Sequence, residues 1–112
     1  MITRDQVLAA LYRHVGAAHG VRVDALVREI TGAPVSSPAA ERQVRSQVSE
    51  LREEGYPIAA HPAHGYFVCE TAEELQMCCA FLRSRAMHSL RLEAQMRRIS
   101  LGELLGQIRL PT

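Results

Sequence analysis

Residues Ser37 to Val68 constrain this chain more than any other stretch, because SPAAERQVRSQVSELREEG runs directly into YPIAAHPAHGYFV. A serine followed by a proline starts a helix well: the hydroxyl accepts a free backbone N–H, and proline's fixed φ suits the first helical turn. Val44, Val48 and Leu51 then recur at i, i+4 and i+7, which predicts one buried stripe. Gly55 suits a left-handed C-terminal cap, and Tyr56-Pro57-Ile58-Ala59 and Gly65-Tyr66-Phe67-Val68 read as two strands joined by a tip at His61-Pro62-Ala63-His64. So short a hairpin does not hold alone in water, so it requires helices beneath it.

Those helices are legible on both sides. Thr3 is an expected N-cap, and Val7, Leu8, Leu11, Tyr12 and Val15 at helical spacing predict a first helix that stops near Gly16. Val21 and Val23 flank Arg22 in a short alternating piece. Asp24 is expected to cap a second helix, Ala25 to Thr31, with Leu26, Val27 and Ile30 facing inward and Gly32 ending it. After the hairpin, Thr71-Ala72-Glu73-Glu74 has the form of a capping box opening a helix to about Ile99, on the order of 40 Å at 1.5 Å per residue. Periodicity leaves open whether this is one bent helix or two. Leu75, Cys78, Cys79, Leu82 and Ala86 make one stripe. Phe81, Leu92, Met96 and Ile99 lie on a rotated face with Arg85 near them, which predicts a dimer interface of Phe81, Arg85, Leu92, Met96 and Ile99, with Glu93 of a second subunit as a candidate partner for Arg85. A second box, Ser100-Leu101-Gly102-Glu103, begins a short helix carrying Leu101, Leu104, Leu105 and Ile108.

The expected fold class is therefore mainly α with a small β-hairpin (α+β), divided into residues 1–70 and a C-terminal helical extension, 71–112. At 47% apolar and 22% charged residues the composition is that of a globular chain. The charged N-terminal turn and the absence of a long apolar run argue against a signal peptide or membrane span and for a cytoplasmic protein. Cys69, Cys78 and Cys79 cannot all pair within one chain, and adjacent cysteines are badly placed to bond each other, so reduced thiols are expected. The net charge is only +1, and all thirteen basic residues are arginine, a bias that a GC-rich genome explains more readily than a need for guanidinium contacts.

Candidate functional residues concentrate on the helix that precedes the hairpin. About half a turn from the buried stripe lie Arg42, Ser46 and Ser49, with Gln43 and Arg45 on the flanks; Arg suits guanine or phosphate, Gln suits adenine, and Ser either. His61 and His64 sit at the hairpin tip. The helix face thus carries groups that read base edges or phosphates, while the bland reading of the same face is solvated surface with Glu50, Glu53 and Glu54. His61, His64, Cys69 and Cys78 at spacings of three, five and nine match no compact zinc pattern, so no metal is expected. No phosphate loop, nucleophile-base grouping or paired carboxylates can be located, which predicts a non-enzyme without cofactor.

The run VSELREEGYPIAAHPAHGYFV resembles the end of the recognition helix and the wing in winged helix-turn-helix DNA-binding domains of the biotin-operon-repressor type, found in small bacterial and phage regulators. The residues that carry the likeness are Leu51-Arg52, then Gly55-Tyr56-Pro57-Ile58, then Gly65-Tyr66-Phe67. The resemblance implies a winged helix-turn-helix followed by a long helical arm, with the third helix in the major groove and the wing touching backbone or minor groove. It further implies a dimeric regulator of transcription or replication. The tip departs from the usual pattern in carrying His61 and His64 and no Arg or Lys. The alternative reading is a winged module that docks a protein partner, as a phage inhibitor or adaptor does.

Overall fold

The computed structural model describes residues 1–108, which fall by their internal contacts into two compact units that divide inside one long helix, after Cys78. In the first unit, helix α1 (Arg4–Leu11) opens on a reciprocal cap: the Gln6 N–H donates to Thr3 Oγ1 at 3.2 Å, and the Thr3 N–H donates to Gln6 Oε1 at 2.9 Å. It ends at Leu11 and not near Gly16 as the spacing predicts. The reason is competition from the hairpin, because the His14 carbonyl accepts from the Val68 N–H and the Gly16 N–H donates to the Val68 carbonyl, each at 2.8 Å. Val15 is thereby drawn into an extended bridge, and Tyr12 is left exposed.

A single 3₁₀ turn (Ala17–His19) leads to Val21, whose N–H and C=O bond Tyr66 in both directions at 2.8 and 2.7 Å. Helix α2 (Val23–Thr31) begins one residue before Asp24, so the expected Asp24 cap is replaced by Arg22, which makes no side-chain cap. Asp24 serves the first turn instead: its carboxyl is held below the usual carboxylate range by the Ala25 backbone N–H and then by Arg28, 3.3 Å away. Helix α3 (Pro38–Glu53) forms as its sequence predicts, with Ser37 Oγ accepting from the Ala40 N–H at 3.2 Å and Val44, Val48 and Leu51 buried.

Strands β1 (Ile58–His61) and β2 (Gly65–Val68) pair antiparallel from Ile58–Val68 to His61–Gly65. The expected first strand thus slides two residues forward, placing His61 inside it and shortening the tip to Pro62-Ala63-His64. Ile58 and Val68 face a core shared with Ile2, Val7, Ala10, Leu11, Val21, Leu26, Val27, Val44, Val48 and Leu51. Burial of this set is the main stabilising term for the unit. Gly65 has φ +79°, and a Cβ there would strike the Val21 carbonyl. Gly20 has an ordinary φ, but its Cβ would strike the His64 carbonyl. Two glycines thus let the segment before α2 lie directly on the hairpin turn.

Helix α4 (Ala72–Arg97) is one continuous helix of 26 residues. Its expected capping box is half formed. Thr71 Oγ1 accepts from the Glu74 N–H at 3.1 Å, but the Glu74 carboxylate accepts from Glu70 N–H at 2.8 Å and from Ala17 N–H at 2.9 Å. The bond from Ala17, with that from Glu70 behind it, holds the Glu74 carboxyl below its ordinary range. A depressed carboxyl contributes stability above its unfolded value and loses it as pH falls through the folded one. Thermal melts across an acid pH series are therefore expected to show a lower midpoint for Glu74→Gln at neutral pH and a shallower acid loss than the wild type; parallel curves would contradict this role.

In the second unit, α4 ends with Arg98 left-handed at φ 57°, the Ile99 N–H bonding the Ala94 carbonyl at 3.0 Å and the Arg98 N–H bonding the Gln95 carbonyl at 3.1 Å. This is the two-bond stop that glycine usually provides. Ser100 and Glu103 then form the second box as expected, with the Glu103 N–H donating to Ser100 Oγ at 3.1 Å and the Ser100 N–H to Glu103 Oε1 at 3.4 Å, and α5 (Leu101–Ile108) follows. Ala94 and Leu104 are the buried side chains of this unit among the described residues. The fold class is α+β, helices with a small hairpin and a long C-terminal helix.

Candidate nucleic-acid interface

The α3 face turned away from Val44, Val48 and Leu51 carries, from its N-terminal end, Arg42, Arg45, Ser46 and Ser49, all exposed. Helical phase places them within about a third of the circumference at 100° per residue. Arg42 makes no ion pair among the described residues, and Arg45 reaches Glu41 only at 3.7 Å with its side chain 54% exposed. Glu41 is the better engaged partner, accepting also from Ser36 Oγ at 2.7 Å. The guanidiniums of Arg42 and Arg45 are therefore offered outward from the first two turns of the helix. Pairing that loose contributes little to stability and is readily exchanged for a phosphate or base edge.

Gln43 is placed differently from its neighbours. Its Oε1 accepts the Ile2 N–H at 3.1 Å, which binds the start of the chain to α3 and occupies the acceptor that a bidentate adenine contact requires. Gln47, one turn further on, was not singled out by sequence; its Oε1 is buried with no hydrogen-bond partner among the described residues. No spacing signal marks it, because it falls between the buried stripe and the exposed flank.

The acids at the far end of α3 are partly committed. Glu54 receives the Arg4 guanidinium as a fork, Nε to Oε2 at 2.8 Å and Nη2 to Oε1 at 2.7 Å, while the guanidinium lies 5.7 Å from the centre of the Tyr56 ring. The bond to Arg4 lowers the Glu54 carboxyl, and the same contact, with Tyr56, raises the Arg4 guanidinium. The fork ties the beginning of α1 to the end of α3. It draws one negative charge out of the field that an approaching polyanion meets. Elsewhere in the unit Arg13 pairs with Glu29 at 3.1 Å and Arg28 with Asp24, so Arg22 and Arg42 are the exposed arginines without ion pairs here among the described residues.

At the hairpin, His61 belongs to β1 and its Nδ1 accepts the Ala63 N–H at 3.0 Å; the His61 and His64 rings lie 4.8 Å apart, with Phe67 edge-on to His64 at 6.3 Å. The two imidazoles thus build the turn. No group of three or more metal-ligating side chains converges among the described residues. The cysteines carry no disulfide; Cys78 Sγ takes a long contact of 3.8 Å from the Arg52 guanidinium.

In α4 the structure places Phe81, Arg85, Leu92 and Met96 at exposed positions. Ile99 lies beyond the helix end, half-buried in the turn, so it does not continue the helical stripe. No helix among the described residues is long and apolar enough to cross a membrane. No family model, curated protein or solved structure matches this chain.

Proposed function

We propose that the first unit binds duplex DNA sequence-specifically through α3, as a winged helix-turn-helix regulator of transcription or replication that acts as a dimer. The observation that carries this reading is the outward pair Arg42 and Arg45, with Ser46 and Ser49 beyond them, on a helix followed directly by the hairpin. Arg42 and Arg45 serve as base or phosphate donors, and the two serines supply shorter contacts. Two such helices related by a two-fold axis read half-sites about one helical turn apart, so the operator is approximately palindromic. On the wing side, His64 in the turn and His61 at the end of β1 stand in place of guanidinium contacts.

Fluorescence anisotropy against labelled duplexes, including the region upstream of the gene itself, at two salt concentrations, tests the reading. Saturable binding that weakens steeply with salt is expected, since each phosphate neutralised releases counterions. Arg42→Ala is expected to weaken specific binding by about 1–3 kcal/mol if the contact is bidentate. If Arg42→Ala and Arg45→Ala both leave affinity unchanged, this face is not the reading surface.

A second reading, a winged module that docks a protein, is favoured by the near-neutral net charge and by exposed apolar side chains on α4 such as Met77 and Leu82. Absence of duplex binding even at low salt selects it.

A further inference from the structure

Leu82, Arg85, Ser89, Leu92 and Met96 follow one another at alternating steps of three and four residues, the spacing of seam positions in a coiled coil. All five are exposed, with Leu82 at 43%, Leu92 at 48% and Met96 at 86%. A shallow depression beside the helix is lined by Ser84, Ala86, His88 and Arg91 and touches the seam at Leu82, Arg85 and Ser89. Buried Ala94 and half-buried Leu90 lie on the other side, roughly 150° round the helix at 100° per residue, so the second unit covers a different face of α4 from this one. The seam is apolar at both ends and polar at its middle, where the cation Arg85 stands between Leu82 and Ser89.

We infer that this seam is covered by the same seam of a second copy running antiparallel, with the two-fold axis near residue 87. Seam positions of an antiparallel pair meet alternately, which sets Leu82 of one copy against Leu92 of the other and Arg85 against Ser89. One turn beyond Ser89 stands Glu93, whose Oε2 accepts Arg97 Nε at 2.8 Å. Its Oε1 is the acceptor for the incoming Arg85 guanidinium. The charge pattern decides the orientation. A parallel pair stacks Arg85 on Arg85 with no acid beside them, a like-charge contact in a partly desolvated seam, whereas the antiparallel pair gives each arginine a small neighbour and a carboxylate, twice over by symmetry. Phe81 and His88 then border the seam.

This deepens the dimer part of the proposed function and does not rest on DNA binding, which the test does not read. Sedimentation equilibrium of the full chain across a dilution series is expected to show a monomer–dimer equilibrium. Arg85→Glu sets two carboxylates together and Glu93→Arg two guanidiniums. Each is expected to raise the dimer Kd about tenfold, while the double swap Arg85→Glu/Glu93→Arg returns it to near the wild-type value. Circular dichroism of each variant, with Arg85 exposed and Glu93 half-buried on the helix surface, verifies that the chain stays folded. A monomer at every concentration, single variants that dimerise like the wild type, or a swap that fails to restore association would each overturn the antiparallel seam.

Discussion

Gly65→Ala is expected to lower the unfolding free energy by about 3 kcal/mol. Two penalties combine at that position. A side chain at φ +79° costs about 1 kcal/mol by itself. The new Cβ also meets the Val21 carbonyl and, at 3.0 Å, the Arg22 nitrogen, both backbone atoms that cannot turn aside. Gly32 separates the two terms, because its φ is +72° while nothing lies within 4 Å of its Cβ position. Gly32→Ala is therefore expected to cost only about 1 kcal/mol, and urea titrations of the two variants should differ by the clash alone. Equal losses would show that the segment before α2 does not lie on the hairpin turn as described.

Leu51→Ala is expected to cost about 2–5 kcal/mol, the range for leucines emptied from close-packed cores. Leu51 is completely buried in the last turns of α3, and its carbonyl also accepts the Tyr56 N–H at 3.1 Å where the chain enters the hairpin. Truncating it removes the apolar contact between the helix and the strands while leaving that backbone bond in place. The loss is therefore a packing loss, expected as a lower urea midpoint with little change in slope. Small domains have about 5–15 kcal/mol in total, so this substitution threatens the fold itself. A Leu51→Ala protein that unfolds within 0.5 kcal/mol of the wild type would contradict the burial described for α3.

The helices were legible because their signals are local. Thr3, Ser37 and Ser100 act as caps where the sequence places them, and the valine stripe of α3 is buried as its spacing predicts. Three misreadings arose where a distant partner took over a backbone or side-chain group. Val15 fits a helical repeat, yet β2 claims the backbone on either side of it. Glu74 fits a capping box, yet Ala17, far away in sequence, supplies one of the N–H groups that its carboxylate accepts. Gln43 falls on the outward flank of α3, yet Ile2 engages its oxygen. The hairpin register slipped for a local reason: Tyr56 and Pro57 look like strand residues by composition, but the residue-for-residue register starts at Ile58, whose N–H turns back to the Tyr56 carbonyl at 2.8 Å. The outward display of Arg42 and Arg45 needed only helical phase, so that part of the candidate site was visible from sequence.

The bridges from Val15 and Val21 to Val68 and Tyr66 make β2 the middle of a small three-sided arrangement and leave β1 as its rim. That rim is four residues long, begins just after Pro57, and ends at a histidine turn, so it offers little template for another extended chain to add to. Strand-to-strand aggregation through the hairpin is thereby discouraged even at high protein concentration. Close crowding of many copies is tolerable for such a chain, because its sheet gives neighbouring copies almost nothing to zip onto.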